Sequence, residues 1–119
     1  MTKKENVIQD KSYEFALQIV KLFKYLQEEK KEFILSKQLL RCGTSIGANI
    51  EEAIGGQSKK DFIAKMSIAY KETRETNYWL RILKDTEYIL EKEFEPFIKD
   101  LDEIQKILIS SLKTAKNNL

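Results

Sequence analysis

Helix breakers are scarce in this sequence, and their placement constrains the fold more than any other feature. The one proline stands at 96 and the four glycines at 43, 47, 55 and 56. Long stretches therefore run without a residue that ends a helix or turns a strand. An all-β fold needs many such turns, and this pattern does not supply them. Within the unbroken stretches apolar residues recur at steps of three and four, the spacing that lines one face of a helix.

Four helices follow from that spacing. The first is predicted to open at Asp10 or Ser12, whose side chains can accept from the orphan N–H groups of a helix start, and to run to about residue 29. Its apolar stripe is Phe15, Ala16, Ile19, Val20, Phe23 and Leu26. Residues 1–9 and 116–119 are expected to be disordered or frayed. After a charged turn over 30–32, the second helix is predicted over about 34–54 with the seam Leu35, Leu39, Cys42, Ile46, Asn49 and Ala53. Asn49 puts an amide into an apolar line, which predicts a partner on the third helix: Glu72, Thr73 or Thr76. Gly43 and Gly47 lie one turn apart. Each costs ~1 kcal/mol relative to alanine inside a helix, so the pair predicts a close approach of another backbone.

Gly55-Gly56-Gln57 ends the second helix, and Ser58 with Asp61 opens the third in the manner of a capping box. The third helix is predicted to continue to about residue 90, ~45 Å at 1.5 Å per residue and longer than its neighbours. Its seam is Phe62, Met66, Ala69, Thr73, Thr76, Leu80 and Leu83. An acidic link over 91–95 leads to Pro96 in the first turn of the fourth helix, whose inner face is Phe97, Leu101, Ile104, Leu108, Ser111, Leu112 and Ala115. Short connections make consecutive helices antiparallel. The expected fold is all-α: an up-down-up-down antiparallel four-helix bundle with a long third helix, forming one domain over 1–119. Tyr70, Tyr78, Trp79 and Ile82 exceed what one inner stripe needs; they suit either a thick core or a subunit interface.

Composition closes most catalytic routes. The chain has no histidine, which removes the commonest general base, proton shuttle and metal ligand together. Ser-His and Cys-His nucleophiles cannot be assembled within one chain, nor can the Glu-x-x-His pattern of di-iron bundles. The segment Gly43-Thr44-Ser45-Ile46-Gly47 lacks the lysine of a phosphate loop. Cys42 has no partner for an internal disulfide and is read as a small hydrophobe. Glu51, Glu52, Glu72 and Glu75 could hold a hard cation if their faces met; as surface carboxylates beside lysines they read more simply as solvated. No catalytic residue, cofactor, metal or small-molecule substrate is assigned, and the chain is not expected to be an enzyme. No apolar run has the length of a membrane span and no signal-peptide core follows the N-terminus, which predicts a cytoplasmic protein.

Lys and Arg number 21 against 19 acids, a formal net charge of +2, so there is no overall field calling for a nucleic-acid partner. A local patch remains open to Lys37 and Arg41 on the second helix and to Lys59, Lys60, Lys65, Lys71, Arg74, Arg81 and Lys84 on the third, with aromatic residues interleaved. The alternative is a protein-interaction bundle whose lysines only keep it in solution.

The run Gln38-Leu39-Leu40-Arg41, then Ser45-Ile46, Asn49-Ile50-Glu51-Glu52, Phe62, Ile68-Ala69, Glu72 and Glu75 resembles the four-helix-bundle proteins encoded in intervening sequences of large-subunit ribosomal RNA genes. The resemblance covers most of the chain. Where such proteins end the second helix with Glu-Gly, this sequence has Glu52-Ala53 and carries its glycines at 55 and 56, which shifts the turn. The resemblance implies a homopentameric barrel, without catalytic residues. Its related branch of retroelement accessory proteins implies structured RNA or a nucleic-acid enzyme as partner. It also implies that Ser45, Asn49 and Glu52 belong to a structural motif holding the second helix on the third, and that Arg41, Glu72 and Glu75 serve helix or subunit contacts.

Overall fold

The helix starts show how side chains decide where each element begins. The computed structural model describes residues 2–119, which form α1 (Lys3–Glu28), α2 (Leu35–Ile54), α3 (Lys59–Asp85) and α4 (Glu91–Asn117), with no strand among the described residues. Helix α1 opens two turns earlier than its sequence suggests. Thr2 accepts from the Glu5 N–H at 3.0 Å while the Glu5 carboxylate accepts from the Thr2 N–H at 2.9 Å, a reciprocal capping box. Ile8, fully buried, anchors these turns, and Lys4 donates to Ser110 across to α4. Residues 3–9 are therefore helical, a correction to the expected frayed lead.

Helix α2 has no side-chain cap at Ile34. Glu32 replaces one: its carboxylate accepts from the N–H groups of Ile34 and Leu35 at 2.9 Å and of Ser36 at 2.6 Å, while Ser36 Oγ donates back to the Glu32 carbonyl at 2.8 Å. Ser58 caps α3 through the Asp61 N–H, as its sequence indicates.

Helix α3 stops at Asp85, not near residue 90. Glu87 takes a left-handed conformation at φ 68°, its N–H donates to the Lys84 carbonyl, and the Tyr88 N–H donates to the Leu83 carbonyl. These paired bonds form a Schellman stop, closed by Ile89 folding back into the core at 2% exposure. At 27 residues α3 matches α4 and barely exceeds α1 at 26, so the long third helix is not observed. Residues 91–95, expected as a link, are the first turn of α4, where Glu93 accepts from the Leu90 N–H at 2.8 Å. Pro96 sits in the second turn, exposed.

Helix α1 packs side by side with α2 and α4, and α3 with the same two, so that α1 and α3 stand diagonally across the core, as do α2 and α4. Each neighbouring pair runs antiparallel, since residue numbers fall on one helix as they rise on the other. Gln9 meets Glu51 and Ile19 meets Gly43; Lys4 meets Ser110 and Lys11 meets Glu103; Lys65 meets Glu52 and Arg41 meets Glu72; Lys59 meets Asn118 and Thr73 meets Gln105. The result is a rod of 47 × 21 × 19 Å. Its core stacks Ile8, Phe15, Ile19, Leu26, Leu39, Ile46, Ile50, Met66, Leu80, Leu83, Leu101 and Ile104, whose removal from water drives the packing. Gly47 fills the role foreseen for the pair, facing a neighbouring backbone, while Gly43 makes room for a side chain instead. A Cβ on Gly43 would stand 2.9 Å from the Ile19 side chain, and one on Gly47 would stand 3.3 Å from the Ser12 carbonyl oxygen, so α1 and α2 pack at backbone distance.

Candidate nucleic-acid interface

The charged side chains divide into two faces by what they touch. On the α2–α3 face Arg41 and Lys65 are taken up by acids. Arg41 pairs with Glu72 at 3.4 Å and with Glu75, and the Glu75 carboxylate also accepts from Trp79 Nε1 at 3.0 Å. Burial pushes the Glu72 carboxyl above its ordinary value and Glu75 adds to the rise, while Arg41 opposes it. Farther along, Lys65 pairs with Glu52 at 3.4 Å. Arg41 and Lys65 are thereby committed to internal pairs and are not free for a phosphate.

The structural-motif residues continue along α2 from Arg41. Ser45 Oγ donates to the Arg41 carbonyl at 2.7 Å and Asn49 Nδ2 donates to the Ser45 carbonyl at 2.9 Å. Asn49 is half-buried and bonds within its own helix; Ile50 takes the core position. The expected partner on α3 is thus corrected, because a one-residue turn of the wheel puts Ile50 inward and Asn49 at the rim. Thr73 and Thr76 are fully buried and bond carbonyls of their own helix, Tyr70 and Glu72, at 2.6 and 2.7 Å. Cys42 is fully buried, and burial pushes its thiol up to about 11, which keeps it protonated and unreactive near neutrality.

The four carboxylates singled out in the sequence do not gather into one site. Glu51 accepts from Gln9 Nε2 of α1 at 2.7 Å, Glu52 holds Lys65, and Glu72 and Glu75 hold Arg41. No group of three metal-ligating side chains occurs among the described residues.

The nine candidate cations separate in the same way. Arg41 and Lys65 are committed as above. Lys59 donates to the Asn118 carbonyl at 3.0 Å, closing the bundle end. Arg81 is held by Asn77 Oδ1 at 2.9 Å and lies over Tyr78, and Lys84 lies between Asp85 and Glu91 over the Phe94 ring. Lys37, Lys60, Lys71 and Arg74 are exposed, with no carboxylate within 4.0 Å among the described residues.

Two of these free cations share a groove. Lys71 and Arg74 of α3 and Lys113 and Lys116 of α4 border a depression of about 750 Å³ floored by Tyr70, Ile109 and Leu112, with Ser67 and Asn117 at its edges. No acid lines it. Lys113 and Lys116 lie outside the candidate cations of the sequence, since no spacing ties them to α3 before the two helices are packed. Their signal is the apolar pair Ile109 and Leu112 flanked by basic residues at helical spacing. On the opposite side of α4 the balance reverses: Asp10, Glu14, Asp100 and Glu103 surround a groove over the edge-to-face Phe15–Phe97 pair, with Lys11 bound to Glu103 at 2.7 Å.

No helix is long and apolar enough to cross a membrane. Residues 4–110 match the sequence profile described as 23S rRNA-intervening sequence protein. No curated protein matches the chain. Among solved structures, a protein of unknown function from the S23 ribosomal protein family of Bacteroides thetaiotaomicron is 56% identical, superposes with a TM-score of 0.91, and is matched over 92% of this chain and 98% of its own.

Proposed function

The chain belongs to the family of 23S rRNA-intervening sequence proteins, and on that footing we propose that it is a non-enzymatic, homo-oligomeric adaptor, a pentamer, that binds structured RNA or a nucleic-acid enzyme in the cytoplasm. The observation that carries this reading is the segregation of charge. On the α2–α3 face Arg41 and Lys65 are taken up by acids, whereas four cations line one groove on the α3–α4 face without an acid among them. A net charge of +2 understates the field at that groove. A ring repeats each subunit's patch around its axis and so multiplies it. The ribosomal name carried by the similar structure's family agrees with an RNA setting.

The test is a titration of labelled structured RNA with nuclease-treated protein over a salt series. Affinity that falls steeply as salt rises supports the adaptor, because each neutralised phosphate releases counterions. Absence of binding even at low salt removes it and leaves the second reading, a protein-interaction bundle. That reading draws on exposed apolar side chains at Ile34, 76% exposed, and Tyr13, 60% exposed.

A further inference from the structure

We infer that the α3–α4 groove is the nucleic-acid seat and that it takes an unpaired RNA segment, phosphates on Lys71, Arg74, Lys113 and Lys116 and a base against the floor of Tyr70 and Leu112. The inference rests on the RNA reading above and gives it a place and a form of ligand. Three observations converge. The first is charge: the groove carries four cations and no lining carboxylate in a chain of net charge +2, and Glu72 and Glu75, on the same helix, point away to Arg41. The second is reach. Thr73 lies level with Gln105 and Lys59 with Asn118, so the cations from Arg74 to Lys116 are spread along the rod over about 20 Å at 1.5 Å per residue. A compact anion cannot touch all four at once, whereas a phosphodiester chain presents charges at intervals along such a length. The third is the floor. Tyr70 is half-buried and Ile109 is 51% exposed, which gives a partly exposed apolar strip that includes an aromatic residue, suited to a base face that a duplex would hide in its stack.

The rival account is local. Lys116 lies in the last turn of α4, where a cation complements the helix dipole. That account leaves Lys71 and Arg74, in the middle of α3, unexplained.

The experiment compares fluorescence anisotropy of a labelled unstructured oligouridylate and a blunt RNA duplex on the full chain and four variants. Lys113→Gln/Lys116→Gln and Lys71→Gln/Arg74→Gln empty the groove, and Lys21→Gln/Lys24→Gln removes equal charge from the exposed outer face of α1. Neutral replacements avoid setting an acid against the end of α4, and circular dichroism establishes that each variant keeps its helices. Expected are a log–log salt slope near about −3 for four contacts with a single strand, a drop of about 1.4 in its magnitude and a loss of about tenfold or more in affinity for each groove variant, and less than about threefold for the α1 control. Tyr70→Leu is expected to weaken the single strand about tenfold and the duplex little. Equal losses in groove and control variants overturn the groove while leaving RNA binding standing. Polyphosphate competing as well as RNA at equal phosphate concentration, or a duplex bound as tightly as the single strand, overturns the unpaired-RNA assignment. No binding of the oligouridylate by the unaltered chain overturns this inference, and the adaptor reading falls with it only if the structured RNA of the preceding titration is not bound either.

Discussion

Glu32 shows how much of this fold hangs on one side chain that pattern reading passes over. It stands in a short charged stretch and reads as a turn residue, yet it is 7% exposed and its carboxylate collects three backbone N–H groups at the start of α2. Burial pushes its carboxyl up, but the bonds from Ser36, Ile34 and Leu35 outweigh burial and hold it below its ordinary 4.5. A carboxyl depressed in the folded state contributes stability that is fully present above its unfolded value and fades as pH falls through the lower folded one. Glu32→Gln should cost about 1–2 kcal/mol at neutral pH, and urea melts should show its gap from the unaltered protein closing as the pH is taken below 4.5. A gap that stays constant through that range would mean the charge is irrelevant. Gly43 argues in the other direction. Alanine there gains ~1 kcal/mol of helix propensity but meets the buried, β-branched Ile19 at 2.9 Å, at a cost of about 1–3 kcal/mol. We expect Gly43→Ala to destabilise by about 1 kcal/mol, and to turn stabilising in an Ile19→Ala background; additive energies in that double-mutant cycle would rule out the clash. The glycines were legible because they are rare inside a helix, whereas Glu32 was not, since a charge gives no hint of burial until its donors are in place.

At the scale of elements, the apolar steps identified every helix, and the errors lie at the ends. Helix α2 was read within a residue because Gly55 and Gly56 punctuate its close. Helix α3 was overextended because its stop uses Glu87 in the left-handed region, at φ 68°, where glycine is the usual occupant. Glutamate looks like a helix former in sequence, so the Schellman bonds of Glu87 and Tyr88 gave no warning. The same fact yields a prediction. Glu87→Gly relieves a side chain of about 1–2 kcal/mol of left-handed strain, loses part of that gain to the greater freedom of the unfolded chain, and should raise stability by about 0.5–1 kcal/mol in thermal or urea melts. No change, or a loss, would mean that the Glu87 side chain makes up for its backbone. The α1 start was missed for a related reason: Asp10 and Ser12 are good caps by type, but Ile8 needed a buried neighbour, and the Thr2–Glu5 box wins once the core takes up Ile8. At Asn49 the predicted heptad seam and the observed core face differ by one residue, so the core position belongs to Ile50 and the amide lies at the rim.

For the whole molecule, the sequence gives a nearly neutral charge count and the fold decides where the charges go. Antiparallel packing sets Arg41 against Glu72 and Glu75, and Glu52 against Lys65, spending those cations on internal pairs. It also brings Lys113 and Lys116 of α4 beside Lys71 and Arg74 of α3, residues some forty apart in sequence. No spacing rule joins them, so that groove was illegible before the helices were laid side by side. The proposed pentamer can then be tested apart from RNA binding. Assembly through exposed apolar side chains such as Tyr13, Ile34 and Leu90 depends on burial and is hardly screened by salt, whereas phosphate contacts at the groove are lost as salt rises. Light scattering after size exclusion should therefore return a mass about five times 14.0 kDa at both low and high salt, and the same mass for Lys113→Gln/Lys116→Gln. A monomer mass at all concentrations would remove the ring and leave each groove to bind alone, without the avidity that repeated sites confer. A mass that falls as salt rises, or with the groove variant, would instead place those lysines between subunits, where an acidic surface such as that around Asp100 and Glu103 would be their natural counterpart.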